Sequence, residues 1–271
     1  MRLLDSKTIQ SALLRSAEDL LEESGQPAIV LDLDSLSCLS EAELLQVGRW
    51  SRQQSGPVIG VGPECSPAAG CADVVVEGDA ELKAILRRIG SNPQAASVLV
   101  QVLRAIEHLS PLDGLVVESL GYATLQSGDE FRRWLARHQA QNPAAPIKES
   151  NSPVLMERRG DELFLILNRP GNSNAFTVEM RDALAEAFRL VELDHSIRQV
   201  RVTAAGRCFC TGGELTEFGS VGSPATAHMI RSQISPAKLL LSSADRYHFH
   251  VHKACIGSGI ELPACAGYLT A

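Results

Sequence analysis

Short apolar runs alternate with helical stretches along the chain, and this alternation constrains the fold more than any other feature. The runs AIVLDLDSL, GPVIGVG and ADVVVEG predict buried strands. Other stretches repeat apolar residues every three or four positions, as in SEAELLQVGRWSRQ, which predicts amphipathic helices. In that stretch Ser40 and Glu43 have the spacing of a capping box. Strands that alternate with helices favour an α/β fold.

One stretch has the composition of a linker between domains. Residues 141–153, QNPAAPIKESNSP, contain three prolines and many polar side chains. The sequence therefore predicts an α/β domain over residues 1–140 and a second domain over residues 154–271. In the first domain the pattern stays helical from Glu81 to about His138, with breaks near Gly90, Ser110 and Ser127.

Composition and charge exclude several classes of protein. The net charge of −7 offers no basic footprint for nucleic acid. No run approaches the ~20 apolar residues of a membrane span, and the charged N-terminus lacks the apolar core of a signal peptide. We therefore expect a cytoplasmic protein with neither nucleic acid nor membrane as a partner. The seven cysteines lack CxxC pairs, which favours reduced thiols over a disulfide framework or a zinc site.

Two glycine-containing turns follow predicted strands in the second domain. FCTGGELTEFG runs from Phe209 to Gly219, and ACIGSGIELPA runs from Ala254 to Ala264. Glycine lets a ligand approach the backbone closely, and two converging N–H groups can form an oxyanion hole. Each turn by itself is more typical of a plain strand–helix connection. Dinucleotide binding is a poorer explanation, because GSG lacks the third glycine of that motif.

Three segments, taken together, resemble the enoyl-CoA hydratase/isomerase (crotonase) family. LNRPGNSNAFTVEMRDALAEAF resembles the family's opening hairpin-to-helix segment, GRCFCTGGELTEF its first oxyanion loop, and HKACIGSGIELPACA its second. They occur in the family's order and at about its spacing within residues 154–271. The resemblance implies a crotonase-like (ββα spiral) fold, a homo-oligomer and an acyl-CoA thioester as ligand. Coenzyme A then enters as part of the substrate, and no separate cofactor or metal is expected.

The resemblance also implies roles for individual residues. The backbone N–H groups of Gly213 and Ser258 would form the oxyanion hole, and Glu261 matches the first of the two catalytic glutamates of hydratases. The positions that match the CoA-binding part of the family pattern are Gly171, Asn172 and Ser173 along the channel and Thr211 and Gly212 near the adenine end. For Glu214, a helix cap and a ligand contact are equally good explanations.

The sequence departs from the family pattern in two places. The family's second glutamate follows the strand that begins at Gly267, whereas this sequence ends at Ala271. We therefore expect the second domain to be incomplete and Glu261 to lack its usual partner. Lys253 stands where relatives usually carry glycine, and it could either pair with a CoA phosphate or obstruct the site.

The predicted function is an enzyme of the enoyl-CoA hydratase/isomerase type that stabilises a thioester enolate. A single glutamate suits isomerisation better than hydration, since a hydratase needs two carboxylates. Thioester hydrolysis is a further reaction that would use the same oxyanion hole. The alternative from another class is a crotonase-like protein that binds CoA thioesters without catalysing a reaction.

Three alternating histidines, His248, His250 and His252, would share one face of a strand. Such spacing can ligate a metal. The opposite face carries Tyr247, Phe249 and Val251, so half-buried strand histidines are the simpler explanation.

The first domain is interpreted as a reduced copy of the same fold, giving two related halves of which the second is incomplete. GPVIGVG followed by CADVVVEGDAEL parallels the second glycine turn and its sequel, and the helices after Asn92 resemble the family's C-terminal helical part. An unrelated α/β interaction module is the alternative. Glu118, Ser119 and Tyr122 are interpreted as structural, because helical spacing accounts for them.

Overall fold

The computed structural model describes residues 3–15, 19–21, 25–141 and 151–271. The chain forms two compact units, a front unit (Met1–Ser110) and a rear unit (Pro111–Ala271). Most of the predicted linker lies outside the described residues. The division between the units comes earlier than this linker, so two helices that the sequence assigned to the first domain belong to the rear unit.

The front unit is built around a three-stranded parallel sheet. Its strands, in the order β1–β2–β3, are β1 (Ile29–Asp32), β2 (Val58–Val61) and β3 (Val74–Val76). Its helices are α1 (Ile9–Ala12), α2 (Leu33–Leu36), α3 (Glu41–Gln53), α4 (Asp79–Ser91) and α5 (Pro93–Ile106). The capping box of Ser40 and Glu43 at the start of α3 is confirmed. The strand predicted over AIVLDLDSL ends at Asp32, because the Asp32 carboxylate accepts a hydrogen bond from the Ser35 N–H and caps α2.

A partly buried ion pair fixes α5 to this sheet. Arg104 donates from Nε and Nη2 to the two oxygens of Asp73, at 2.8 and 2.6 Å. Asp73 also accepts a hydrogen bond from the Val58 N–H at 2.7 Å. Two-pronged pairing of this kind is both strong and geometrically specific, so it holds the helix and the start of β2 in one arrangement.

The rear unit contains a five-stranded sheet in the order β4–β5–β6–β7–β8. The first pair is antiparallel and the other pairs are parallel. Its strands are β4 (Val154–Arg159), β5 (Glu162–Leu167), β6 (Gln199–Ala204), β7 (Tyr247–His250) and β8 (Tyr268–Thr270). Its helices are α6 (Pro111–Ser127), α7 (Asp129–Gln141), α8 (Val178–Leu193), α9 (Pro224–Gln233), α10 (Pro236–Leu241) and α11 (Ser258–Ala264). The predicted α/β fold class is confirmed.

The core of the rear unit lies between its sheet and α8. Leu163, Leu165 and Leu167 alternate along β5 and are buried, as expected for a strand with one covered face. Buried residues of α8 recur at helical spacing and join the same cluster. The Thr177 side chain accepts a hydrogen bond from the Met180 N–H and begins this helix, so the end of β5 and the start of α8 are fixed around the connecting loop.

Among the described residues, no helix combines the length and apolar character needed to cross a membrane. In the same part of the chain, no group of three His, Cys, Asp or Glu side chains gathers in a way that could hold a metal ion. All seven cysteines lie in described segments and are unpaired, with three of them buried and two exposed.

Candidate functional site

The two glycine turns lie against each other beyond the carboxyl ends of β6 and β7. The Cys210 N–H donates to the Ala254 carbonyl at 3.2 Å, and the Ile256 N–H donates to the Cys210 carbonyl at 3.1 Å. The sequence placed the turns apart along the chain, and the parallel pairing of β6 with β7 brings them together. They therefore form one continuous backbone surface.

Glycine is required at two positions of this surface because backbone meets backbone there. A Cβ on Gly212, whose φ is +89°, would lie 2.6 Å from the Ile256 carbonyl oxygen. A Cβ on Gly259 would lie 2.4 Å from the Cys210 carbonyl oxygen. Both contacts are far shorter than real Cβ contacts, and neither neighbour is a flexible side chain. Two glycines thus allow the turns to touch.

Each turn presents at least one backbone N–H that has no acceptor among the described residues. Ser258 is the first residue of α11, and the N–H groups of a helix's first turn have no partner within the helix. The N–H of Gly213 is likewise unpaired in the described chain, whereas its neighbours are held: the Phe176 N–H donates to the Gly212 carbonyl at 2.7 Å, and the Glu214 N–H donates to the Phe176 carbonyl at 3.2 Å. The loop is therefore fixed on both sides of an available donor.

The residues predicted to bind CoA lie together beside the first turn. Gly171 and Asn172 form a single 3₁₀ turn, followed by Ser173 in the left-handed region at φ 51°. The Ser173 carbonyl accepts a hydrogen bond from the Thr211 N–H at 3.2 Å, and the Asn172 side chain donates to Glu214 at 2.9 Å. The structure thus joins the segment 171–173 to Thr211 and Gly212.

Glu214 caps the short 3₁₀ turn that follows it. One carboxylate oxygen accepts from the N–H and the hydroxyl of Thr216, at 3.0 and 2.8 Å. Burial opposes ionisation of this group, but the hydrogen bonds from Asn172 and Thr216 outweigh it and lower the pKa of Glu214. The sequence left a helix cap and a ligand contact open as explanations of Glu214. The structure shows the capping contact.

Asn174 is a buried polar residue whose role sequence reasoning missed. Its side-chain oxygen accepts from the Arg169 N–H at 2.7 Å. Its side-chain nitrogen donates to the carbonyls of Ala205 and Cys208, at 2.8 and 3.1 Å. The residue has a φ of 52°, a conformation in which asparagine is enriched. Asn174 therefore ties the loop before α8 to the loop that leads into the first glycine turn.

Lys253 and the three histidines lie just before the second turn. Lys253 is exposed and has a φ of 56°, in the left-handed region that glycine favours. His248 and His250 each contact the Thr270 hydroxyl at 3.0 Å, and His252 contacts the Gly206 carbonyl at 3.2 Å. The opposite side chains Tyr247, Phe249 and Val251 are buried. His248 is a half-buried strand residue as predicted, whereas His250 is exposed and His252 lies beyond the end of β7.

A narrow apolar recess beside Ser258 has a cavity volume of about 10 Å³, roughly the room that one water molecule needs. Its walls include four buried or partly buried side chains from the loops, β7 and α8, namely Phe176, Leu184, Phe209 and Phe249. The recess therefore places apolar surface next to the available N–H of Ser258.

Glu261 lies one helical turn after Ser258 on α11, and its side chain is exposed. A spacing of three residues puts both on one side of the helix. No hydrogen bond or ion pair engages the Glu261 carboxylate within the described ranges. This predicted acid/base residue is therefore available to solvent and ligand.

Helix α6 packs on α9 and brings further polar groups into the rear unit. Ser119 is buried, and its hydroxyl lies 2.9 Å from His228 Nδ1 and accepts from Arg231 Nε at 3.0 Å. The Arg231 guanidinium lies 4.5 Å above the Tyr122 ring. Helical spacing alone could not predict these contacts of Ser119 and Tyr122, because they join positions 109 to 112 residues apart and have no local sequence signal.

Part of the chain is similar to known proteins. Residues 163–271 match the family described as Enoyl-CoA hydratase/isomerase. A probable enoyl-CoA hydratase of Mycobacterium tuberculosis is 32% identical over 120 residues, which cover 42% of this chain and 44% of that protein. The 1,2-epoxyphenylacetyl-CoA isomerase of Escherichia coli is 47% identical over 53 residues, or 20% of either chain.

Among solved structures, an enoyl-CoA hydratase from Thermoplasma volcanium aligns at 29% identity and a TM-score of 0.39, covering 44% of this chain and 48% of that chain. The chain spans about half the length of the relatives it matches, or less. Over residues 163–271 the chain is similar to the family described as Enoyl-CoA hydratase/isomerase. The family match begins at residue 163, so the interpretation of the front unit as a related half stays a prediction.

Proposed function

We propose that the chain binds an acyl-CoA thioester and stabilises the enolate of its acyl group with the N–H groups of Gly213 and Ser258. The observation that carries the proposal is the pair of unpaired N–H donors on two turns that touch through their backbones. Donors fixed before the reaction stabilise charge that develops on a carbonyl oxygen, each by about 3 kcal/mol.

In this proposal the acyl group lies against the apolar surface beside Ser258, and the thioester oxygen accepts both N–H bonds. The CoA part extends past the segment 171–173 and Thr211. Glu261 then moves a proton at carbon or activates a water, as a carboxylate within reach of the polarised acyl group can. Coenzyme A enters as part of the substrate.

The test is incubation of the chain with crotonyl-CoA, followed by mass analysis of the products. Hydration adds the mass of water, isomerisation leaves the mass unchanged, and hydrolysis releases free CoA. We expect turnover that Glu261→Gln lowers by 10²-fold or more, since general acid–base catalysis contributes about 10²–10⁴-fold. The matched control is Glu186→Gln, which makes the same change at an exposed residue of α8.

Binding of crotonyl-CoA is measured in parallel by calorimetry. A chain that binds the thioester but changes none of it contradicts the enzymatic proposal and favours a non-catalytic CoA-binding protein. A chain that neither binds nor reacts contradicts the proposed site altogether. Isomerisation is kept as the second candidate, because one of the relatives that match is named as an isomerase acting on a CoA thioester.

A further inference from the structure

Phe218 folds back onto Gly213, the residue of the first glycine turn whose N–H is available. A Cβ added to Gly213 would lie 3.1 Å from both Cε1 and Cζ of the Phe218 ring. Between the two residues lies the short 3₁₀ turn Leu215–Glu217. This turn is held in place, because the Glu217 carboxylate accepts a hydrogen bond from the Val178 N–H at 2.7 Å. The loop therefore keeps the edge of the Phe218 ring against the backbone of Gly213.

Two helices that precede the glycine turns in the sequence supply rings that contact Phe218. Tyr122 of α6 meets the Phe218 ring edge-on, with centroids 6.2 Å apart and ring planes at 76°. Trp134 of α7 lies at the same centroid distance, with ring planes at 51°. Both separations fall in the range of about 4.5–7 Å at which aromatic pairs are favourable. Phe218 is therefore in contact with α6 and α7 as well as with Gly213.

The residue after Phe218 also packs against α7. A Cβ added to Gly219 would lie 2.6 Å from Leu135 Cδ2, so the backbone of the loop approaches the helix closely. Trp134 and Leu135 are neighbours on α7. One stretch of this helix therefore contacts two successive residues of the loop, and the end of the first glycine turn is fixed by side chains that are distant in the sequence.

Tyr122 is itself held in place by a residue of α9. The Arg231 guanidinium lies 4.5 Å above the Tyr122 ring. Arg231 is anchored to α6 as well, because it donates to the hydroxyl and the carbonyl of Ser119 at 3.0 Å each. The Tyr122 ring therefore meets Phe218 from a fixed position.

We propose that Phe218 is a positioning residue of the thioester site, held by the rings of Tyr122 and Trp134 so that it fixes the direction of the Gly213 N–H. The inference rests on the proposed function of that N–H. Glycine has no side chain through which packing could fix it, and here the ring packs directly on the backbone. A donor that is fixed before the reaction stabilises a developing oxyanion without reorganising first. In this way α6 and α7 contribute to the oxyanion hole through ring contacts alone.

Loss of the Phe218 ring should affect the transition state more than the bound substrate. An oxyanion donor acts most strongly once charge has developed on the oxygen, so a misaligned donor lowers kcat and leaves KM nearly unchanged. A displacement of about 1 Å in a catalytic site can cost 10²-fold, and we expect Phe218→Leu to lower kcat with crotonyl-CoA by about 10- to 100-fold. The KM should stay within about threefold of the wild-type value.

The second readout is the infrared band of a bound thioester carbonyl. Hydrogen bonds to a carbonyl oxygen weaken the C=O bond and lower its stretching frequency. Butyryl-CoA labelled with carbon-13 at this carbonyl is bound to each variant, and its band is compared with that of free butyryl-CoA. We expect the wild-type chain to lower the frequency and Phe218→Leu to lower it less. A ring that only stabilised the fold would leave the band of the folded protein unchanged.

Two substitutions at Tyr122 separate its ring from its hydroxyl. Tyr122→Leu removes the ring and should show a smaller loss in kcat and in the band shift than Phe218→Leu. Tyr122→Phe keeps the ring and should recover what Tyr122→Leu loses. This pair decides the question even if Phe218→Leu does not fold. The matched control is Phe164→Leu, the same change at a ring of β5 that lies 4.9 Å beneath the Arg159 guanidinium. It should leave kcat and the band unchanged, whatever its effect on the melting temperature.

Three results would overturn the role of Phe218 alone. The first is a Phe218→Leu chain with the kcat and the carbonyl band of wild type. The second is a raised KM with an unchanged kcat, which would make Phe218 a substrate contact. The third is a loss in Tyr122→Phe equal to that in Tyr122→Leu.

Failure of the proposed function gives a different pattern. A wild-type chain that does not bind butyryl-CoA, or binds it without shifting the band, overturns the oxyanion hole and the role of Phe218 with it. A wild-type chain that shifts the band but turns over no crotonyl-CoA overturns the enzymatic function, and the band of the Phe218 and Tyr122 variants then decides the positioning role.

Discussion

Replacing Gly259 by alanine tests how closely stability and catalysis depend on the contact between the two turns. The added Cβ would lie 2.4 Å from the Cys210 carbonyl oxygen and 2.9 Å from the Cys210 Cβ. To reach 3.0 Å, the shortest separation that real Cβ atoms show, α11 and the first turn must separate by roughly 0.6 Å. Cys210 is held through its own N–H and carbonyl to the second turn, so it cannot simply move aside.

The expected cost follows from that displacement. Overpacking of this kind costs about 1–3 kcal/mol, which lowers the melting temperature by roughly 2–12 °C for a unit of this size. Ser258 precedes Gly259, so its N–H moves with the helix. A displacement of about 1 Å in a catalytic site can cost 10²-fold, and we therefore expect kcat with crotonyl-CoA to fall by about 10- to 100-fold.

The control is Gly222→Ala, because a Cβ at Gly222 meets nothing within 4 Å. This variant should melt within about 0.5 kcal/mol of wild type and keep its kcat. If Gly259→Ala melts and reacts like wild type, the packing argument is wrong. If it loses stability but keeps kcat, Ser258 is not an oxyanion donor.

Three further predictions concern the surroundings of the site. Asn174→Ala should lower the free energy of unfolding by about 2–4 kcal/mol in urea titrations, since it leaves buried groups without partners. Lys253→Gly should raise the free energy of unfolding by up to about 1 kcal/mol. Glycine removes the strain of the positive φ at this position, at some cost in backbone entropy. Asp194 is hydrogen-bonded by Ser196 and then by Arg158, which lowers its pKa to about 2. Its contribution to stability is therefore present above the unfolded value of 3.8 and lost as pH falls through about 2, and Asp194→Asn should flatten melting curves in that window.

Local features were predictable from the sequence, because their causes are local. The capping box at Ser40 and the helix break at Ser110 each depend on a few neighbouring residues. One local prediction was wrong. The strand predicted over AIVLDLDSL was too long, because the apolar run continues past the end of β1 into α2. The chemistry of Asp32, which caps that helix, was the overlooked signal.

Contacts between distant segments had no comparable signal. The pairing of Arg104 with Asp73 joins positions 31 residues apart, and the bond from Arg231 to Ser119 joins positions 112 apart. The glycine turns were an intermediate case, since the family resemblance supplied a link that spacing alone does not.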